Sequence, residues 1–415
     1  MKLDKNGCLK IRKPKANATA RIVVTGDCCP RAAGEELVLN GQAADILEPV
    51  MDVFRAADLS IMQFETALTT DNTPIVKSGP NLKCNPGVVD LLCAWGGDVT
   101  LLANNHTGDF GPDALMETIN IIQSNGFKTV GAGANIDEAY KPLICDACGI
   151  KVGILNVAEN EFGSASFNKA GAAPLNPCLN IRQIMDLSQQ VDVCMVITHG
   201  GNEHNPIPSP RVVEMSRAFA AAGADIVINI HTHCPQGYEV FGDSLIVYSL
   251  GNFYFPWPKD RAYKPDDFWC NGYIASIEID KDGCFAFMPI PVTFDATGGS
   301  FVKTLTPAQN TAFYKYIDKI SAPIADRLEL QKFHECWAAM SYYTRFLREY
   351  PYKEEDFKAP APNPKLMPLR NIFTCEAHNE LVKTYLRLVE EGRVDDALKY
   401  KKKLEALCNA SYIKD

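Results

Sequence analysis

The chain alternates short apolar runs with amphipathic segments over about its first three quarters. The apolar runs are strand-sized and rich in β-branched residues, which is typical of strands that are buried on both faces. The segments between them carry apolar residues three or four positions apart, a spacing that predicts helices packed on a sheet. This alternation predicts an α/β fold built on parallel strands.

We predict strands that end near residues 25, 64, 102, 157, 198, 230 and 248, with helices over 42–56, 86–95, 112–125 and 210–222. The last of these helices has Ser209 in the cap position and Pro210 in the first helical position, which are favoured there. Two further runs, 273–279 and 285–292, predict an antiparallel pair joined by a turn at Asp282 and Gly283.

Beyond Gly299 the strand pattern gives way to helical periodicity. Helices are predicted over 306–322, 324–349, 376–391 and 394–407, with a proline-rich linker at 358–365. We therefore divide the chain into an N-terminal arm (1–17) with a turn at Asn6-Gly7, an α/β domain (18–300) and a C-terminal helical segment (301–415).

Polar side chains follow five of the predicted strands at the point where each strand ends. They are Asp27, Glu65, Asn105 with His106, His199, and the pair His231 and His233. Because the carboxyl ends of parallel strands meet at one edge of a sheet, we expect these side chains to converge. The two histidines of the pair would face the same side if the backbone stayed regular.

This mixture of carboxylate, amide and imidazole groups suits a pair of divalent ions such as Mn, Fe or Zn. The Glu65 carboxylate can bridge two ions about 3.5–4 Å apart, which together hold and activate a water. His106 can protonate a leaving group, and Asp109 can fix the tautomer of that histidine. The pattern predicts metal-assisted hydrolysis at a phosphoryl or acyl centre.

A family resemblance rests on six strings of the sequence. They are G-D-C-C (26–29), D-L-S-I-M-Q-F-E-T-A-L (58–68), L-A-N-N-H-T-G-D-F-G (102–111), T-H-G-G-N-E (198–203), G-A-D-I-V-I-N-I-H-T-H (223–233) and Y-S-L-G-N-F (248–253). With them, residues 20–256 resemble the bacterial capsule-synthesis family CapA, which is associated with poly-γ-glutamate capsules and related to the calcineurin-like metallophosphoesterases. The resemblance implies a four-layer α/β/β/α sandwich with two metal ions at the sheet edge.

The resemblance also implies a role for each candidate residue. The implied metal ligands are Asp27, Glu65 as the bridge, Asn105, His199, His231 and His233, and the implied proton donor is His106. Three positions depart from the superfamily pattern. Cys29 stands where a histidine is usual and is a candidate thiolate ligand, Glu65 replaces an aspartate, and Ile230 replaces a glycine.

Several further residues are candidates for contact with a substrate. Lys77 and Lys83 lie in a loop over 71–87 that is long enough to form an active-site rim, and Arg211 is a further cation for an acidic polymer or peptide. From the family strings, Asn104, Glu203 and Asn252 are expected at the substrate site. His334 and His378 lie on predicted helices and are interpreted as structural, with a lid role for His378 as the alternative.

Composition and charge argue against several classes of protein. A net charge of −9 and a pI of about 5.4, without a basic stripe, argue against nucleic-acid binding. No apolar run is long enough for a signal peptide or a membrane span, so a cytoplasmic protein is expected. Fifteen cysteines at irregular spacings indicate mostly reduced core residues, and the lone C-x-x-C at 145–148 does not make a zinc ribbon.

Three functions follow from these features. The leading interpretation is a two-metal hydrolase acting on a phosphoester or a γ-glutamyl amide. The alternative is a non-catalytic component of poly-γ-glutamate capsule synthesis that binds the anionic polymer through its metal site. The third is a redox or thiol–metal protein based on Cys28 and Cys29.

Overall fold

A computed structural model of the chain describes residues 2–15, 18–257, 264, 266–295, 301–341 and 352–413. In chain order its main strands are β1 (Leu9–Lys10), β2 (Ala20–Cys28), β3 (Leu59–Phe64), β4 (Val99–Leu101), β5 (Lys128–Val130), β6 (Leu143–Ala147), β7 (Ile150–Ala158), β8 (Val193–His199), β9 (Ile226–Ile230), β10 (Tyr238–Phe241), β11 (Ser244–Val247), β12 (Asn252–Tyr254), β13 (Asn271–Asp280), β14 (Gly283–Thr293) and β15 (Lys303–Thr304). Two short ladders pair Ala67–Leu68 with Lys83–Cys84 and Ala132–Gly133 with Gly171–Ala172.

The helices lie between and after these strands. They are α1 (Ala33–Leu39), α2 (Ala43–Leu47), α3 (Met51–Arg55), α4 (Val89–Trp95), α5 (Gly111–Ser124), α6 (Ile136–Ala139), α7 (Pro177–Ser188), α8 (Pro210–Ala221), α9 (Pro307–Ser321), α10 (Arg327–Met340), α11 (Glu354–Lys358), α12 (Met367–Thr374), α13 (Glu376–Glu390), α14 (Val394–Leu398) and α15 (Lys401–Glu405). The change to helices after residue 300 is therefore confirmed.

The strands form two large sheets, each with a parallel centre. The first has the order β1-β14-β13-β2-β3-β4-β5, with β12 beside the end of β2 and β15 beside β14. The second has the order β10-β11-β9-β8-β7-β6, with antiparallel strands at its two edges. The predicted antiparallel pair is β13 and β14, joined by a turn at Gly283, whose φ is 104°.

Side chains of alternate residues show how the layers stack. In β2, Ile22 and Val24 pack into the core that both sheets share, whereas Val23 packs with apolar residues of α1 to α5. On the second sheet, α7 and α8 contact β7, β8, β9 and β11. The fold is thus the expected α/β/β/α arrangement, and its strands are buried on both faces because sheets or helices cover each side.

The prediction of one continuous helix over 42–56 was wrong. It is divided into α2, a single 3-10 turn at Glu48–Val50, and α3. Pro49 explains the break, because proline has no N–H for the helical hydrogen bond. The apolar face is nevertheless the predicted one, since Ile46, Val50 and Phe54 are all buried.

The ends of the C-terminal helices also differ from the sequence pattern. Helix α10 begins at Arg327 because Asp326 caps it. The Asp326 carboxylate accepts hydrogen bonds from the backbone N–H groups of Leu328 and Glu329, which have no partner within the helix. The predicted remainder of this helix, 342–349, lies outside the described residues. The last predicted helix is divided into α14 and α15.

Two expectations about the whole chain can be compared with the structure. All fifteen cysteines are free and ten of them are buried, as expected for reduced core residues. Over the part of the chain that the structure describes, helices that combine the length and the apolar character needed to cross a membrane are absent.

One buried amide joins the two sheets next to the strand ends. The Asn156 side chain, on β7 of the second sheet, accepts a hydrogen bond from the Ala103 N–H (2.9 Å), just past β4 of the first sheet. Its amide nitrogen donates to the Ile197 carbonyl (3.1 Å) on the neighbouring strand. Asn156 therefore fixes the start of the loop that carries Asn105 and His106.

We expect Asn156→Ala to lower the free energy of unfolding by about 2 kcal/mol, because the buried Ala103 N–H would lose its acceptor. Urea unfolding of the full chain measures the change. The control is Asn120→Ala, which removes an exposed asparagine from α5. Equal urea midpoints for the two variants would show that the link between the sheets contributes no stability.

Candidate metal centre and cleft

The five predicted groups converge at one edge of the paired sheets. The Asp27 carboxylate lies 3.7 Å from the His199 ring and 3.6 Å from the His233 ring. The Glu65 carboxylate lies 3.6 Å from the His199 ring and 3.8 Å from the His106 ring. These residues come from loops far apart in sequence, and they meet because β2, β3, β4, β8 and β9 all end here.

Two groups of side chains have the spacing of a metal site. Asp27, Glu65 and His199 form one, and Glu65, His231 and His233 form the other, with the ligand atoms of each group within 4.8 Å of one another. Glu65 belongs to both groups. A carboxylate shared in this way is what a bridge between two divalent ions requires.

Four buried polar atoms at this site lack a hydrogen-bond partner within the described part of the chain, which indicates whether cations fit there. Asp27 Oδ1, both carboxylate oxygens of Glu65 and His199 Nδ1 are buried, and among the described residues they have no hydrogen-bond partner. Burying an uncompensated charge is costly. The oxygen and nitrogen donors suit divalent Mn, Fe or Zn, so these residues fit the ions that the sequence predicts.

The same burial changes the proton affinity of both carboxyl groups. Burial raises the pKa of Asp27 to about 8. Burial, and then the neighbouring Asp27 charge, raise the pKa of Glu65 well above its usual value. Burial also holds the pKa of His199 and His231 well below the ordinary value, so these rings are neutral and can donate a lone pair. Divalent ions bound here would supply the positive charge that balances the two carboxylates.

His231 and His233 reach the site by an irregular backbone rather than by strand alternation. Strand β9 ends at Ile230, and the φ angles are 103° at His231 and 52° at His233. The two ring centroids still lie only 5.8 Å apart. The backbone is therefore not regular here, so the condition under which the sequence placed both rings on one side is not met, and the irregular turn itself brings the rings together.

Two asparagines and a cysteine complete the surroundings of the ligands. Asn105 Oδ1 lies 3.0 Å from His199 Nε2, so this amide reaches the ligand set. Asn252 Oδ1 accepts from His233 Nδ1 at 2.8 Å, which orients that ring and leaves its Nε2 for an ion. Cys29 lies outside both ligand groups, beside Cys84, and its role as a ligand stays a prediction.

His106 is held in one orientation at the entrance to the site. Its Nδ1 lies 2.6 Å from Asp109 Oδ2, and its Nε2 points towards Glu65. Lys77 pairs with the other Asp109 oxygen at 2.5 Å and lies 3.3 Å from His106 Nδ1. Burial lowers the pKa of His106, Lys77 lowers it further, and Asp109 opposes both effects.

Three of the predicted substrate residues have other partners within the protein. The Asn104 side chain accepts from the backbone N–H groups of the His106 loop and donates to the Phe64 carbonyl (2.9 Å). Arg211 pairs with two carboxylates, and the Nζ of Lys83 lies 2.7 Å from the Asn72 side chain. Their contact with a substrate stays a prediction.

A cleft of about 200 Å³ opens beside the ligands. Lys77, His106 and Glu203 line it as the sequence led us to expect, and residues 78–80 and 82 of the predicted rim loop also line it. Sequence reasoning gave no role to six other lining residues, which are Glu161, His204, Phe255, Trp257, Trp269 and Asn371. All six lie outside the family strings, so no local signal pointed to them. His378 also lines the cleft, where the alternative lid role would place it.

Comparisons with known proteins identify relatives of this chain. The PGA biosynthesis protein CapA of Bacillus subtilis is 30% identical over 284 residues, which cover 66% of this chain and 72% of that protein. The capsule biosynthesis protein CapA of Bacillus anthracis is 28% identical over 252 residues, or 59% of this chain and 61% of that protein.

A solved structure is also similar, at a low level. The 5'-nucleotidase precursor from Thermus thermophilus is 14% identical with a TM-score of 0.41, and the match covers 73% of this chain and 58% of that one. A similarity this low supports no conclusion about activity.

The family match is stronger and spans all the predicted ligands. Residues 21–256, more than half of the chain, match the bacterial capsule synthesis protein PGA_cap family, and the chain belongs to that family.

Proposed function

We propose that this protein is a metal-dependent hydrolase with a two-ion centre. The observation that carries the proposal is the position of Glu65, which belongs to both ligand groups and lies 3.8 Å from the ring of His106. A shared carboxylate beside an oriented histidine is the arrangement that hydrolysis with two metal ions needs. A structural metal site would have no use for the histidine.

Each residue has a task that its contacts support. Asp27, Glu65, Asn105, His199, His231 and His233 would hold the ions. When bound, two such ions lower the pKa of a water and stabilise negative charge on the group under attack. His106 Nε2 would carry the proton for the leaving group, and Asp109 and Lys77 keep the ring in place.

The substrate class that we propose is a phosphoester or a γ-glutamyl amide in poly-γ-glutamate metabolism. The two Bacillus relatives are named for capsule or PGA biosynthesis, and such a polymer carries the amide. Those names also favour a second function, in which the chain binds the polymer through its metal site without cleaving it. The thiol-based function has less support, because burial raises the pKa of Cys28 and Cys29 well above the ordinary value and disfavours a reactive thiolate.

The metal content gives the first test. The chain loaded with Mn²⁺ and then dialysed should retain about two ions. Glu65→Gln should retain fewer than one, because the shared ligand contributes to both positions. Elemental analysis measures the content, with Glu390→Gln, an exposed glutamate on α13, as control. Two ions retained in Glu65→Gln would contradict the shared role.

Removal of the proton donor separates hydrolysis from binding. His106→Ala should lower kcat by roughly 10²–10⁴-fold on a substrate with a poor leaving group, with both ions retained. Turnover of a phosphomonoester, a phosphodiester and a γ-glutamyl substrate would be assayed beside the metal content. Metal-dependent binding of poly-γ-glutamate by the native chain, without turnover of any of the three, would favour the binding function instead.

A further inference from the structure

A second cavity adjoins the metal cleft. It has a volume of about 350 Å³ and lies between the family-matched part of the chain and the C-terminal helices. Glu203 and His204 line one side, and Trp337, Met340, His378 and Leu381 line the other. The volume is within the range of about 300–1,000 Å³ that ligand pockets occupy.

The two cavities are neighbours with a common wall. Glu203, His204 and His378 line both of them. Glu203 also lies 3.9 Å from the His231 ring, one of the candidate ligands. These three side chains therefore place the second cavity directly beside the candidate ligands.

The C-terminal wall is attached to the family-matched part by buried polar contacts. The Glu380 carboxylate, on α13, accepts from the Asn202 amide (2.9 Å), the Ser209 hydroxyl (3.0 Å) and the Arg211 guanidinium (3.0 Å). Arg211 in turn pairs with Glu159, which follows β7. These contacts hold the loop that carries Glu203 and His204 against the helix that carries His378 and Leu381, so the cavity has preorganised walls.

The chemistry of the lining identifies the kind of group that fits. An indole, a thioether and an isobutyl group form the helical side, from Trp337, Met340 and Leu381. Among the described lining residues there is no lysine or arginine. The polar ones are Asn202, Glu203, His204, Ser341 and His378, of which Glu203 contributes a carboxylate. An anionic chain would meet apolar surface and a like charge here, whereas an uncharged ring or alkyl group would bury apolar area.

We propose that this cavity is a substrate subsite for an apolar group, aryl or alkyl, attached to the group that the metal ions bind. The inference rests on the proposed hydrolase function and adds the substrate class to it. The substrate carries an uncharged apolar substituent at this position instead of a further run of glutamate carboxylates. The apolar side of this subsite, formed by Trp337, Met340 and Leu381, lies outside the family match and would contribute to specificity.

Two phosphonates that cannot be hydrolysed test the subsite. Titration calorimetry on the full chain loaded with Mn²⁺ compares methylphosphonate with phenylphosphonate. We expect the phenyl compound to bind at least about tenfold tighter, because its ring leaves water for the apolar cavity. Equal affinities of the two compounds for the native chain would overturn the proposal.

Two variants on helix α10 show whether the preference for phenylphosphonate arises in this cavity. Met340→Glu places a carboxylate at a position that is 36% exposed, and it should abolish the preference for phenylphosphonate over methylphosphonate. Leu328→Glu, at a 74% exposed position of the same helix roughly 18 Å away along its axis, should keep the preference. A preference that survives in Met340→Glu would also overturn the proposal.

The two ligands separate failure of the subsite from failure of the function. If methylphosphonate binds and the phenyl ring adds nothing, only the subsite is wrong. If methylphosphonate does not bind the metal-loaded chain, the phosphoester function is wrong, and the subsite inference falls with it.

Discussion

The structure depends on two carboxylates that are buried together where the two sheets meet. Asp27 and Glu65 are fully buried, and Lys77, the lysine of the adjoining cleft, pairs with Asp109 instead. The histidines around them are held neutral by burial and cannot compensate the charge. In a medium of low dielectric the two carboxylates can both stay ionised only beside cations, and the five strand ends that converge here bring together the side chains that could hold them.

The sequence was sufficient to predict the fold class and the convergence of the polar side chains at one sheet edge, for a physical reason. Apolar β-branched runs of strand length mark parallel strands, and parallel strands must end at one edge, so Asp27 and His199 could be brought together without coordinates. The break in the helix predicted over 42–56 was also predictable from the sequence, because Pro49 interrupts it. The orientation of His106 by Asp109 follows from their spacing of three residues in one loop.

Other features depend on contacts between distant segments, which periodicity does not encode. The Asn104 amide holds its own loop against the Phe64 carbonyl, a contact that the sequence did not predict. Trp269, which lies just before β13, and His378, on α13, line the cleft because these segments pack next to it. Nothing in the local sequence predicts that position for Trp269, whereas for His378 it matches the alternative lid role. The pairing of Glu380 with Arg211 joins positions about 170 apart in the chain, and it makes the C-terminal helices one wall of the site.

The left-handed backbone at His231 and His233 has a consequence for how this protein can change. Each non-glycine residue in that conformation costs on the order of 1–3 kcal/mol, and glycine would be relieved of most of it. Glycine at either position would favour a more stable fold and would remove an imidazole from the candidate ligand set. At these two positions the stability of the backbone is therefore set against the composition of the candidate metal site.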